Sequence, residues 1–116
     1  MAFPYGSSQG WIGVDLDGTL AEYYGPAPGI GPAVPAMVER IKQHLADGER
    51  VKIFTARATG SQKEVREVSD WSLKVFGERL EITCQKDYGM IICYDDRARQ
   101  VILNTGEIVG EEVRRL

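Results

Sequence analysis

The chain has 116 residues and a formal net charge of −3, from 14 basic and 17 acidic residues. This length predicts one domain, and the slight acidic excess argues against a protein that coats nucleic acid by charge alone. No apolar run is long enough to span a bilayer, so no membrane partner is expected.

The two cysteines, Cys84 and Cys93, lie in apolar surroundings without the spacing of a zinc site, and two cysteines do not make a disulfide framework. They are predicted to be buried, reduced thiols of a cytoplasmic protein. Residues 1–10 are rich in Gly, Ser and Pro and lack the basic start of a signal peptide. They predict a flexible leader before one folded domain at residues 11–116.

Short apolar runs alternate with longer segments of helical periodicity. Residues 11–16 predict a buried strand, and residues 21–31, with three glycines and two prolines, predict a loop. A helix is expected between Pro32 and Gly48, because Pro suits the first turn of a helix and Gly its end. The apolar positions at helical spacing in this segment are Val34, Met37, Val38, Ile41 and Leu45.

The second half of the chain continues this alternation. A strand is predicted at residues 51–55. A second helix should begin at Ser61, which has capping-box spacing to Glu64, and should end at Gly77. Three further short strands are predicted at residues 80–83, 90–94 and 101–103. The expected fold is therefore α/β, a single Rossmann-like domain with a central parallel five-stranded sheet and helices on both faces.

Polar side chains collect at the carboxyl ends of the predicted strands, where the binding sites of open parallel sheets lie. They come from the first strand, the second strand, the loop before the fourth strand and the fourth strand. In that order they are Asp15 and Asp17; Thr55, Ala56 and Arg57; Lys86; and Asp95 and Asp96.

These residue types suit phosphoryl transfer. Clustered carboxylates repel one another unless a cation joins them, and a small set of hard oxygen ligands suits Mg²⁺. One carboxylate can act as a nucleophile and form an aspartyl-phosphate. A second, two residues on, can protonate the leaving oxygen and then activate water. A lysine and a hydroxyl can hold the phosphoryl oxygens. The sequence thus predicts a Mg²⁺-dependent phosphohydrolase.

The same residues resemble the motifs of the haloacid dehalogenase-like superfamily, most of whose members are phosphatases. Residues 15–20, Asp-Leu-Asp-Gly-Thr-Leu, resemble its first motif. Thr55, Lys86 and residues 94–97, Tyr-Asp-Asp-Arg, resemble the second, third and fourth. The order of the motifs along residues 11–103 is that of the superfamily. The residues around the second and fourth motifs resemble those of small phage and bacterial members.

The resemblance implies a role for each matched residue. Asp15 would attack phosphorus, and Asp17 would be the acid/base and reach the metal through its backbone carbonyl. Asp96, alone or with Asp95, would complete the metal site. The residues implied to bind substrate are Thr55, Ala56, Arg57 and Lys86, of which Thr55 and Lys86 share the catalytic role with Asp15 and Asp17.

Members of this superfamily often carry a cap domain, and this chain has no room for one. Only a loop, a helix and a strand separate Asp17 from Thr55, and only a helix and a strand separate Thr55 from Lys86. Capless members act on large substrates or cover the site with a neighbouring subunit. The expected partners are a phosphorylated substrate that is large or nucleotide-like, nucleic acid only as substrate, and a second copy of the chain.

The sequence is compatible with three functions. The first is a Mg²⁺-dependent phosphomonoesterase, and the second is a phosphatase specific for nucleotides or nucleic-acid ends, with Tyr23 and Tyr24 on a flap at residues 21–31. The third is a non-catalytic phosphate- or partner-binding module. Arg57 and Arg97 could bind the distal part of an anionic substrate or, equally, cap a helix or join a surface ion pair.

Overall fold

A computed structural model describes residues 10–26 and 28–111 of the chain. These residues form a four-stranded sheet in the order β3-β2-β1-β4, in which every pairing is parallel. The predicted α/β class with a parallel sheet is therefore confirmed. The elements are β1 (Trp11–Val14), α1 (Pro35–Ala46), β2 (Val51–Phe54), a 3₁₀ turn (Ala56–Thr59), α2 (Gln62–Phe76), β3 (Glu81–Thr83) and β4 (Met90–Tyr94).

The helix boundaries follow from local chemistry. Pro35 occupies the first turn of α1, where its missing N–H costs no hydrogen bond. At the start of α2, the Ser61 hydroxyl accepts a hydrogen bond from the Glu64 backbone N–H, as the predicted capping box requires. Gly77 ends α2 in the left-handed conformation, at φ 79°, and its N–H donates to the Leu73 carbonyl.

Both helices pack against the same face of the sheet. Ile12 and Val14 of β1 share one buried cluster with Ile41 of α1 and Val68 of α2. The order β3-β2-β1 explains this arrangement, because two right-handed crossovers that advance in one direction place both helices on one side. The prediction of helices on both faces is wrong for the described residues, since only a loop at 84–89 joins β3 to β4.

A tryptophan lies on the opposite face of the sheet. Side chains alternate along a strand, so Trp11 and Gly13 point away from the helices. The Trp11 ring is 1% exposed, its Nε1 donates to Asp87 Oδ1 at 2.8 Å, and the Lys52 ammonium lies 4.5 Å from its centroid. A Cβ on Gly13 would come within 3.0 Å of the Trp11 ring and of the Met90 side chain. The loop at 84–89 is thereby fastened to β1 through Asp87.

The fifth strand, predicted at residues 101–103, does not join the sheet. Val101 instead forms an isolated antiparallel bridge with Ile108, and the Ile102 N–H donates to the Glu107 carbonyl at 2.8 Å. Asn104, at φ 66°, makes the turn that sends the chain back on itself. The apolar run therefore pairs with the residues that directly follow it in the chain, and β4 remains at the edge of the sheet.

The prediction of buried thiols is also wrong, because Cys84 and Cys93 are both free and exposed. Cys93 lies on the edge strand β4, and Cys84 follows β3 in the connecting loop, so neither is enclosed on all sides. Of the predicted leader, Gly10 is described and buried, whereas residues 1–9 lie outside the described part, as do residues 112–116 of the predicted domain. None of the described helices has the length and hydropathy needed to cross a membrane.

Candidate active site

Three carboxylates meet at the carboxyl edge of the sheet. Asp15 follows β1 directly, and its backbone N–H donates to the Tyr94 carbonyl at 2.9 Å, which ties the ends of β1 and β4 together. Asp15, Asp95 and Asp96 each offer an oxygen within 4.8 Å of the others. The prediction that the first and fourth strands bring their carboxylates together agrees with this geometry. Three hard oxygen donors so close together fit a divalent cation such as Mg²⁺.

Burial and the neighbouring carboxyl groups alter the pKa values within this cluster. Burial of Asp15, its hydrogen bond with Asp96 and the charges of Asp95 and Asp96 raise the pKa of Asp15 to about 7. The same hydrogen bond to Asp15 lowers the pKa of Asp96 below its ordinary value. The opposite directions mean that the Asp15–Asp96 pair retains one proton near neutral pH. A cation bound there would take the place of that proton.

Thr19 connects the two sides of the cluster. Its hydroxyl lies 3.2 Å from Asp96 Oδ1 and 3.4 Å from Asp15 Oδ2, and it accepts a hydrogen bond from the Asp96 backbone N–H at 3.1 Å. The residue is only 8% exposed. Thr19 belongs to the first motif, but the sequence predicts no role for it. Its position four residues after Asp15, in the turn that leaves β1, is the signal that could have identified it.

Gly18 allows the Asp96 carboxylate to approach the turn after β1. It has a φ of +90°, and a Cβ placed on it would lie 2.7 Å from Asp96 Oδ2. Gly18→Ala is therefore expected to destabilise the fold by about 1–2 kcal/mol through backbone strain, and to weaken Mg²⁺ binding about tenfold by displacing Asp96. Thermal unfolding and calorimetric Mg²⁺ titration measure the two effects.

Gly48→Ala is the matched control for this substitution. Gly48 has a similar φ of +79°, at the end of α1, and nothing lies within 4 Å of the added Cβ. It should lose similar stability and keep the Mg²⁺ affinity of the natural chain. Unchanged Mg²⁺ binding by the Gly18 variant would contradict a role for Asp96 in the metal site.

Thr55 lies where β2 ends and the 3₁₀ turn begins. Its side chain is nearly fully buried, and its hydroxyl oxygen accepts a hydrogen bond from the Arg57 backbone N–H at 3.1 Å. Thr55 and Ala56 both line the cleft in which Asp15 lies. The structure thus places the predicted hydroxyl in the same cleft as the predicted nucleophile, with the position of the hydroxyl fixed by the turn.

The Asp17 carboxylate is not part of the three-carboxylate cluster. Arg57 donates to both of its oxygens, from Nε to Oδ2 at 2.7 Å and from Nη2 to Oδ1 at 2.9 Å. Arg57 Nη2 also donates to the Gly29 carbonyl at 3.0 Å, so one guanidinium ties the turn after β1 to the loop at 21–31. The hydrogen bond with Asp17 raises the pKa of Arg57, so its charge is permanent. Arg57 and Asp17 are 40 positions apart, and no sequence signal joins them.

The cluster opens into a cleft of about 670 Å³. Tyr23 and Phe54 contribute aromatic walls, and Arg57 and Arg97 contribute cations. Lys86 does not line the cleft. It is exposed in the loop at 84–89 and forms no ion pair with any residue of the described ranges. Of the predicted phosphoryl-binding groups, the structure therefore brings Thr55 to Asp15 and leaves Lys86 outside.

A histidine that the sequence interpretation did not use supports the end of β4. His44 Nε2 lies 3.0 Å from the Tyr94 hydroxyl, and His44 Nδ1 lies 3.0 Å from Glu49 Oε1. Tyr94 directly precedes Asp95, so α1 contacts the strand that presents the carboxylates. His44 and Tyr94 are 50 positions apart, so sequence patterns do not indicate this contact.

The fold and the site define a parallel α/β domain with an acidic cluster at the carboxyl edge of its sheet. No family model matches the chain, and no curated protein is significantly similar to it. Among solved structures, it is similar to a conserved protein encoded by a locus of Bacteroides thetaiotaomicron, with a TM-score of 0.57 and 22% identity over 75% of each chain. This likeness supports the fold alone.

Proposed function

We propose that this protein is a Mg²⁺-dependent phosphomonoester hydrolase of the haloacid dehalogenase-like type, with a Rossmann-like fold and Asp15 as its nucleophile. The observation that carries the proposal is the cluster of Asp15, Asp95 and Asp96, in which burial, the hydrogen bond with Asp96 and the neighbouring charges raise the pKa of Asp15 to about 7. Holding three carboxylates together costs stability, and such clusters occur where a reaction or a ligand requires them.

The residues present fit a magnesium ion. Asp15, Asp95 and Asp96 would hold it, since all three offer oxygen ligands at one point. Bound there, Mg²⁺ supplies positive charge between a carboxylate nucleophile and an anionic phosphoryl group, which would otherwise repel each other. The resemblance assigns the Asp17 backbone carbonyl to the metal site, which leaves the Asp17 carboxylate available for its pairing with Arg57.

The reaction follows from the roles of the two aspartates at the end of β1. An Asp15 oxygen attacks phosphorus and the ester P–O bond breaks, while Asp17, which must first leave Arg57 and take up a proton from solvent, gives that proton to the departing oxygen. Asp17 then takes a proton from water, the water oxygen attacks phosphorus, and the bond to Asp15 breaks. Inorganic phosphate leaves, and both aspartates return to their initial forms.

Thr55 and Lys86 differ in how directly they can contact the phosphoryl group. Thr55 is already oriented at the cleft wall by its contact with the Arg57 N–H, so it can donate to a phosphoryl oxygen without rearrangement. Lys86 is exposed in the loop at 84–89 and does not line the cleft, so its side chain would have to turn to reach the same group. Asp87 fastens that loop to Trp11 only one residue after Lys86, which limits the movement to the lysine side chain and its near neighbours.

The test is phosphate release from an aryl phosphate and a panel of sugar phosphates and nucleotides, with Mg²⁺ and with EDTA. We expect release with Mg²⁺ and none with EDTA. A folded protein that binds Mg²⁺ and releases no phosphate from any substrate would contradict the proposal, and would favour the non-catalytic binding module. Preference for nucleotides over sugar phosphates would favour the narrower phosphatase, which the aromatic walls Tyr23 and Phe54 support.

A further inference from the structure

We propose that the cleft accepts a phosphomonoester that carries a second anionic group, and that Arg57 binds this group in exchange for Asp17. This inference rests on the proposed function, since it assumes that the phosphoryl group itself is bound at Asp15.

Arg57 already holds an anion of the required kind. Its Nε and Nη2 donate to the two oxygens of one carboxylate, a paired geometry that fits a phosphate group equally well. Its side chain lines the cleft and is 19% exposed, so a ligand in the cleft can reach it. The Asp17 carboxylate therefore occupies a binding position that an anionic ligand can take.

The cleft has room for more than a phosphoryl group. Its volume of about 670 Å³ is typical of sites that enclose a whole small molecule. A phosphoryl group at Asp15 and Thr55 fills only a small part of that space. The remainder reaches Arg57 on one side and Arg97 on another.

Arg97 supplies a second cation at the cleft. Its backbone N–H donates to Asp95 Oδ1 at 2.7 Å, which fixes the position of the residue. Its side chain forms no ion pair with any residue in the described ranges. A metal ion at the three-carboxylate cluster would compensate the reacting phosphoryl group, so that Arg97, and Arg57 once Asp17 leaves it, could bind a different anionic group.

The exchange has a consequence for Asp17. As long as Arg57 donates to both of its oxygens, the carboxylate faces the guanidinium and stays apart from the three-carboxylate cluster. A ligand anion that takes the guanidinium releases the Asp17 side chain to turn toward the leaving oxygen. Binding of the right substrate and assembly of the acid/base are then one event.

The experiment measures binding without turnover, in the Asp15→Asn protein with Mg²⁺, by calorimetry. One ligand pair is glycerol 3-phosphate and 3-phosphoglycerate, which share the leaving oxygen and differ in a carboxylate. The other pair is adenosine 5′-monophosphate and adenosine 3′,5′-bisphosphate, in which the second anion is a phosphate. We expect the ligand with two anionic groups to bind about tenfold more tightly in at least one pair, and the pair that shows it identifies the chemistry of the second group.

Arg57→Ala in the same background is expected to remove this preference, and Arg57→Lys to restore only part of it, because Lys keeps the charge and loses the paired donors. Arg79→Ala is the matched control. Arg79 donates to the Asp70 carboxylate at 2.6 Å in an exposed pair away from the cleft, and its loss should leave the preference unchanged.

Equal affinity within both pairs, no binding by any of the four ligands, or a preference that survives Arg57→Ala would each overturn the inference. Failure of the proposed function would appear separately, as the absence of Mg²⁺-dependent phosphate release from an aryl phosphate by the natural chain. The two results are independent because the binding experiment requires no turnover.

Discussion

Replacing Asp15 with Asn is expected to reduce Mg²⁺-dependent phosphate release at least about 1,000-fold, because an amide oxygen cannot form the aspartyl-phosphate. The same change should stabilise the metal-free protein, since it removes one of three mutually repelling carboxyl groups. Steady-state phosphate release and thermal unfolding with EDTA measure the two effects. Lower activity together with a higher melting temperature is characteristic of a residue kept for chemistry.

Asp47→Asn is the matched control for this charge change. Asp47 ends α1 and is exposed, and its backbone N–H, rather than its side chain, makes the capping contacts. We expect it to keep both activity and melting temperature. Retention of full phosphate release by the Asp15 variant would exclude the aspartyl-phosphate mechanism.

Without Mg²⁺, the free energy of unfolding is expected to fall as the pH rises from about 4 to about 7. The pKa of Asp15 is raised from 3.8 to about 7 in the folded protein. Between these values the folded state holds a proton that the unfolded state has lost, so raising the pH favours unfolding. This stabilising contribution is fully present below the unfolded pKa and is lost as the pH passes the folded one. Asp96, whose pKa is lowered, loses its contribution only at more acidic pH.

The measurement is the melting temperature at several pH values between 4 and 8, with EDTA, for the natural chain and for Asp15→Asn. We expect a decrease on the order of 5 °C across this range that the variant does not show. Saturating Mg²⁺ should remove the decrease, because the bound ion compensates the ionised cluster. A pH profile that is identical in the two proteins would show that repulsion at Asp15 does not affect stability.

Local chemistry explains why most elements could be predicted from the sequence. The N-cap at Ser61 and the left-handed Gly77 act on their own backbone, and the apolar runs of β1, β2 and β4 have the composition of strands. The runs of β1 and β2 are also buried, whereas three of the five residues of the edge strand β4 are exposed. The convergence of the carboxylates was predictable because parallel strands end at one edge. Each of these inferences needed only neighbouring residues or the topology of the chain.

The features that could not be predicted depend on competition between distant partners. The run at 101–103 has strand composition, but the turn at Asn104 offers it a nearer partner than β4. The pairing of Asp17 with Arg57 depends on how the turn after β1 meets the turn after β2, and a motif carries no such information. The helix-free face depends on a six-residue connection whose path the sequence does not indicate.

The pairing of β1 with β4 also determines when the site can form during synthesis. Trp11 of β1 is aligned with Met90 of β4, so β1 cannot pair with this second neighbour until about 80 further residues have been synthesised. Two of the three clustered carboxylates, Asp95 and Asp96, emerge from the ribosome after Asp15 has long been exposed. The nascent chain can therefore pair β1, β2 and β3 before the three carboxylates repel one another. The repulsion begins only when β4 pairs with β1, and this step is intrinsically slow because it closes a long loop.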